Sequence, residues 1–93
     1  MTDLRESGLV LDPKFDAYGL LTAVVVDAAD GTVLMVGHMD RAALQTTKES
    51  GKVTFYSRSR QRLWTKGESS GHFLILVGLR IDCDQDALLV LAK

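Results

Sequence analysis

The sequence has one cysteine, one proline and no apolar run long enough to cross a membrane. A lone cysteine cannot close an internal disulfide, which fits a cytoplasmic setting. A spanning helix needs roughly 20 consecutive apolar residues, and no stretch approaches that. The first fifteen residues are polar and mixed in charge, which is not the pattern of a signal peptide. Net charge is −1, so no global pull toward nucleic acid or a membrane surface is expected, and any electrostatic argument has to be local. Internal repeats and low-complexity tracts are absent. What remains is 93 residues, 46% hydrophobic and 25% charged, enough to bury a core and therefore not a disordered chain. One domain over 1–93 is expected, with 1–15 as a lead-in punctuated by Asp12-Pro13.

The β-branched run Leu20-Leu21-Thr22-Ala23-Val24-Val25-Val26 predicts a strand. Ala28-Ala29-Asp30-Gly31 predicts a hairpin turn, since Asp-Gly favours the positive φ such turns need. Thr32-Val33-Leu34-Met35-Val36 would return as its partner. Asp40 is placed to cap a helix over 41–50, with Gly51 where a left-handed closing residue belongs. Only Ala43, Leu44 and Thr47 could face a core, so this helix would lie on the sheet in a structural role. Further strands are expected at Val53-Thr54-Phe55-Tyr56-Ser57-Arg58, over 72–81 and over 87–91. The expected fold is α+β: a mostly antiparallel, curved sheet of about five or six strands with one main helix.

Two stretches carry chemistry. Between Gly51 and Gly67 stand Lys52, Arg58, Arg60, Arg62 and Lys66 with no acidic residue, interleaved with Tyr56 and Trp64. Hydroxyls from Ser57, Ser59, Thr65, Ser69 and Ser70 join them, and Gly67 and Gly71 let backbone approach a ligand. Such a segment could fork phosphates with arginine and stack a base on Trp64, be a basic hairpin gripping nucleic acid, or be a solvated loop pinned by a buried tryptophan. An anionic partner is favoured. The second stretch is Asp82-Cys83-Asp84-Gln85-Asp86. In an extended segment the three carboxylates share one face and the thiol takes the other. Hard oxygens suit Mg²⁺ and a soft thiolate suits Zn²⁺. The competing reading is a solvated turn beside a small buried cysteine. An EF-hand is excluded, because its sixth and twelfth positions would fall on Ala87 and Lys93. His72 is a candidate acid–base group or ligand, although a lone histidine at a strand start is more often a hydrogen-bonded bystander. No other catalytic residue is assigned.

Three blocks, Phe55-Tyr56-Ser57-Arg58-Ser59-Arg60, Leu63-Trp64-Thr65-Lys66-Gly67-Glu68-Ser69-Ser70-Gly71-His72 and Asp82-Cys83-Asp84-Gln85-Asp86, resemble the phosphoribosyl-AMP cyclohydrolase family. The resemblance runs in order from about Phe15 to Lys93. It implies hydrolytic opening of the adenine ring of phosphoribosyl-AMP between N1 and C6, the third step of histidine biosynthesis. It also implies Asp82, Asp84 and Asp86 as Mg²⁺ ligands and Cys83 as one of three Zn²⁺ cysteines, shared across an intertwined homodimer. Arg58, Arg60, Arg62, Trp64, Lys66 and Ser70 become candidate substrate contacts, with neither nucleic acid nor membrane as a partner. The sequence departs from the family at one point: two further cysteines that follow the aspartate block in the family are absent from the ten residues after Cys83. An omitted tail or a truncation is expected to account for them; loss of activity is the alternative. A Nudix hydrolase is excluded, since the one helix carries only Glu49 where that family needs a glutamate-rich motif. A nucleotide- or RNA-binding module without metal chemistry is the second reading.

Overall fold

The computed structural model describes residues 14–81 and 86–93. Strand β1 (Leu21–Asp27) turns into β2 (Val33–Met39), helix α1 (Arg41–Ser50) follows, and β3 (Thr54–Ser57) pairs with β4 (Arg62–Thr65). Strands β5 (Leu76–Ile81) and β6 (Ala87–Ala92) complete the described elements.

The β1–β2 connection forms as the Asp-Gly pair predicts. Gly31 takes φ 80°, the Asp27 carboxylate accepts the Ala29 N–H at 2.8 Å, and that of Asp30 accepts the Thr32 N–H at 2.9 Å. The bond from the Thr32 backbone holds the Asp30 carboxyl below its ordinary pKa. Helix α1 is closed at both ends. The Asp40 side chain accepts from the Ala43 N–H at 2.7 Å, a cap worth about 1 kcal/mol. Gly51, at φ 76°, donates its N–H to the Thr47 carbonyl. Ala43, Leu44 and Thr47 are its buried residues, the three that the sequence allowed.

The sheet departs from expectation in two ways. Three of the four strand pairings are antiparallel as expected, but β1 and β6 run parallel in the register Thr22↔Ala87 through Asp27↔Ala92, so the four-stranded sheet, in the order β2-β1-β6-β5, is mixed. β6, a central strand between β1 and β5, is apolar along its whole length, its residues alternating between half-buried and buried. Second, among the described residues β3 pairs only with β4, as a separate two-stranded sheet. The residues after Arg58, for which a loop and a basic hairpin were both open, form the hairpin and return as β4, so Thr54 meets Thr65 and Phe55 meets Trp64. The expected strand over 72–81 is shorter, Leu76–Ile81. The residues before it link the two sheets instead: Val53 N–H donates to the Leu74 carbonyl at 2.9 Å, and Ile75 exchanges backbone bonds with Lys93.

The core lies on one face of the four-stranded sheet. Leu21, Ala23 and Val25 of β1 and Leu88, Val90 and Ala92 of β6 pack against Ala43 and Leu44 of α1 and against Phe55 of β3. Gly37 of β2 makes room for Phe55: a Cβ there would sit 2.6 Å from Phe55 Cδ1. The opposite face carries Val36, Val24, Leu89 and Arg80 side by side across the four strands.

Candidate functional site

The β3–β4 hairpin and the turn after it enclose a cleft of about 500 Å³. Its wall is Ser57, Arg60, Trp64 and the continuous segment 65–70. The hairpin loop is drawn together by its own backbone and hydroxyls. The Gln61 N–H donates to the Ser57 carbonyl at 2.8 Å, and the Arg60 N–H to Ser57 Oγ at 3.2 Å. Gln61 takes the left-handed conformation that closes the loop, φ 53°.

Trp64 is held from behind. Its ring stacks on the fully buried Phe55, centroids 5.0 Å apart and planes inclined by 30°. This cross-strand aromatic pair fixes the indole and commits part of its π surface to the core. Beyond Thr65 the chain reverses tightly: Glu68 N–H donates to the Thr65 carbonyl, Gly71 N–H to the Gly67 carbonyl, and His72 N–H to Ser70 Oγ. Gly67 has φ 94°, and a Cβ there would overlap the His72 carbonyl and lie 2.6 Å from the Phe73 nitrogen. Only glycine permits that approach.

The structure sorts the sequence-predicted candidates. Arg60, Trp64, Lys66 and Ser70 line the cleft. Arg58 and Arg62 are exposed and are not among its lining residues, and His72 is exposed immediately beyond the wall. Lys52 is turned away to Phe73, with Nζ 4.1 Å from the ring centroid. The lining holds two cations, Arg60 and Lys66, against one carboxylate, Glu68, and the hydroxyls of Ser57, Thr65, Ser69 and Ser70 complete a wall suited to an anion bearing hydroxyl or amino groups. Asp82, Cys83 and Asp84 lie outside the described residues, and Asp86 is exposed just ahead of β6. Among the described residues no three His, Cys, Asp or Glu side chains gather into a metal-binding group. No helix among them is long and apolar enough to cross a membrane.

Sequence reasoning missed what stands behind the cleft. Phe55 backs Trp64, and the buried hydroxyl of Thr47 ties the backbone of Thr54, and with it the hairpin, to α1. The alternation of Phe55 and Trp64 with polar neighbours was the available signal for a hairpin.

Residues 35–93, including the whole cleft, match the family model described as phosphoribosyl-AMP cyclohydrolase. The chain belongs to that family. A phosphoribosyl-AMP cyclohydrolase of Rhizorhabdus wittichii is 61% identical over 84 residues, covering 90% of this chain and 68% of its own length. One of Rhodopseudomonas palustris is 59% identical over 83 residues, 89% of this chain but 56% of its own length. One of Brucella anthropi is 57% identical over 83 residues and is 59% covered. The chain thus spans between just over half and about two thirds of these relatives.

Proposed function

We propose that the hairpin cleft binds the nucleotide end of phosphoribosyl-AMP, and that the chain serves hydrolytic opening of the adenine ring between N1 and C6 in histidine biosynthesis. The observation that carries this reading is one wall that combines an immobilised indole with Arg60, Lys66 and serine hydroxyls, inside the segment that matches the family. Arg60 and Lys66 neutralise phosphate, Arg60 with a planar fork and Lys66 as a point charge. The serines donate to phosphate or ribose oxygens, and the indole offers adenine a fixed stacking surface. Arg58 and Arg62 are assigned no phosphate contact. A nucleotide- or RNA-binding module without metal chemistry is the second reading; of the five cations only Arg60 and Lys66 line the cleft, and Lys52 lies over the Phe73 ring.

Asp82, Asp84 and Asp86 are the residues that would hold Mg²⁺, a set of hard oxygens of the type that ion prefers. Cys83 is one soft ligand for Zn²⁺, whose catalytic sites use three protein ligands, so further ligands have to come from elsewhere. Zinc, when bound, supplies a water of lowered pKa as the nucleophile. A second copy of the chain is proposed to cover the outer sheet face, where Val36 is 57% and Val33 59% exposed beside Val24 and Leu89. Sedimentation equilibrium with zinc analysis on one sample tests both points. A mass twice 10.2 kDa is expected, and a 10.2 kDa particle would remove the dimer; zinc bound at that mass would show ligands other than cysteine completing the site, and its absence would leave Cys83 without a metal role in this chain.

The phosphate assignment is tested with AMP, the nucleotide portion of the substrate, using emission from the single tryptophan, Trp64. Arg60→Ala is expected to raise the AMP Kd about tenfold or more, the range of a charge-assisted hydrogen bond. An unchanged Kd would take Arg60 out of the site.

A further inference from the structure

A chain of buried hydroxyls runs from the helix to the cleft wall. Thr47 on α1 is fully buried, and its Oγ1 accepts the Thr54 N–H at 2.9 Å and lies 3.2 Å from the Thr54 carbonyl. It is also 2.9 Å from the Ala43 carbonyl. Its one proton is contested by the Ala43 and Thr54 carbonyls, so the side chain accepts the Thr54 N–H and sits beside the Thr54 carbonyl, on the flank of β3 that has no strand beside it among the described residues. With those groups aimed at the helix, Thr54 and Thr65 are a non-hydrogen-bonded pair of the hairpin, the kind whose side chains approach most closely. The bond from Lys66 N–H to the Val53 carbonyl agrees with that pattern.

The hydroxyls of the pair are 3.0 Å apart, and Thr54 Oγ1 is also 3.0 Å from the Lys52 carbonyl. A hydroxyl has one proton, and a carbonyl only accepts. Thr54 therefore donates to Lys52, and Thr65 donates to Thr54. The proton of Thr65 is committed inward, which fixes its rotamer between Trp64 and Lys66 on the cleft wall.

We propose that Thr54 is a positioning residue for the cleft. Through Thr65 it sets the place of Trp64 and Lys66 and leaves Thr65 able to accept but not to donate toward a ligand. Thr54 is 1% exposed and touches no ligand space itself. Valine would keep its shape, yet would free the Thr65 hydroxyl to turn. The inference rests on the nucleotide reading of the cleft.

The test titrates AMP into wild type, Thr54→Ser and Thr54→Val, following Trp64 emission. The serine variant is expected to bind within about twofold of wild type, and the valine variant about five- to tenfold more weakly, the range of one net hydrogen bond. A folded Thr54→Val protein that binds as wild type, even with a lowered Tm, would overturn the proposal. Should Thr54→Val fail to fold, Thr65→Val removes the same bond from a half-buried position, and unchanged affinity there would overturn it equally. If wild type itself does not bind AMP, the nucleotide reading fails, and positioning is read without ligand from acrylamide quenching of Trp64. Faster quenching in Thr54→Val but not in Thr54→Ser supports the role; equal quenching in all three ends it.

Discussion

Phe55→Ala is expected to cost about 3–5 kcal/mol of folding free energy, the range for removing a buried phenylalanine. The ring is fully buried and sits in a socket that exists only because position 37 is glycine. Its other side carries the Trp64 stack at 5.0 Å. A methyl group in its place leaves a void that neither neighbour can fill: Gly37 has no side chain, and Trp64 is anchored by the pairing of β4 with β3. A domain of this size has a total stability of about 5–15 kcal/mol, so the loss is a large share of it. Urea unfolding followed by circular dichroism checks the magnitude, since Trp64 emission itself would change in the variant. A loss below about 1 kcal/mol would mean that the Phe55–Trp64 stack is not what holds the hairpin to the core.

Gly67→Ala is expected to abolish nucleotide binding while leaving most of the fold intact. Two effects act together. A φ of 94° lies beyond the left-handed region that L-residues tolerate, and the added Cβ would overlap the His72 carbonyl. Relief requires the 65–72 segment to open, which moves Lys66, Ser69 and Ser70 away from Arg60 and Trp64. That segment contributes no strand to the main sheet, so its rearrangement costs cleft geometry more than core. AMP affinity is expected to fall by more than tenfold, with Tm reduced by roughly 4–16 °C, the shift that about 1–2 kcal/mol of local strain gives in a domain of this size. Wild-type affinity in this variant would show that the turn is not part of the binding wall.

Local features were legible in the sequence because local chemistry decides them. Asp40 and Gly51 bracket α1, and Asp30-Gly31 makes the turn, each through bonds within a few residues. The partner of β6 was not legible. Ala87-Leu88-Leu89-Val90-Leu91 announces a buried strand but says nothing about whether it lies parallel to a strand some 65 residues earlier (87 against 22). β4 was left open by its composition, since the arginine and lysine around Trp64 suited a loop as well as a basic hairpin, and only the match of Trp64 to Phe55 decides for the hairpin. The basic segment was legible as a candidate ligand wall, yet composition counts charges without direction. The hairpin brings Arg60 and Lys66 to the cleft, leaves Arg58 and Arg62 outside it, and turns Lys52 to Phe73. The sequence expectation for metal rests chiefly on Asp82, Cys83 and Asp84, which lie outside the described residues.

The central claim is that the β3–β4 cleft is the nucleotide-binding wall of this family member. It is tested most directly by titrating ¹⁵N-labelled protein with AMP and following the backbone amides by NMR. The account predicts saturable shifts concentrated at Ser57, Arg60 and residues 64–70, together with the Trp64 indole N–H. Shifts absent at saturating AMP, or gathered instead around Val24, Val36 and Leu89 on the outer sheet face, would contradict it.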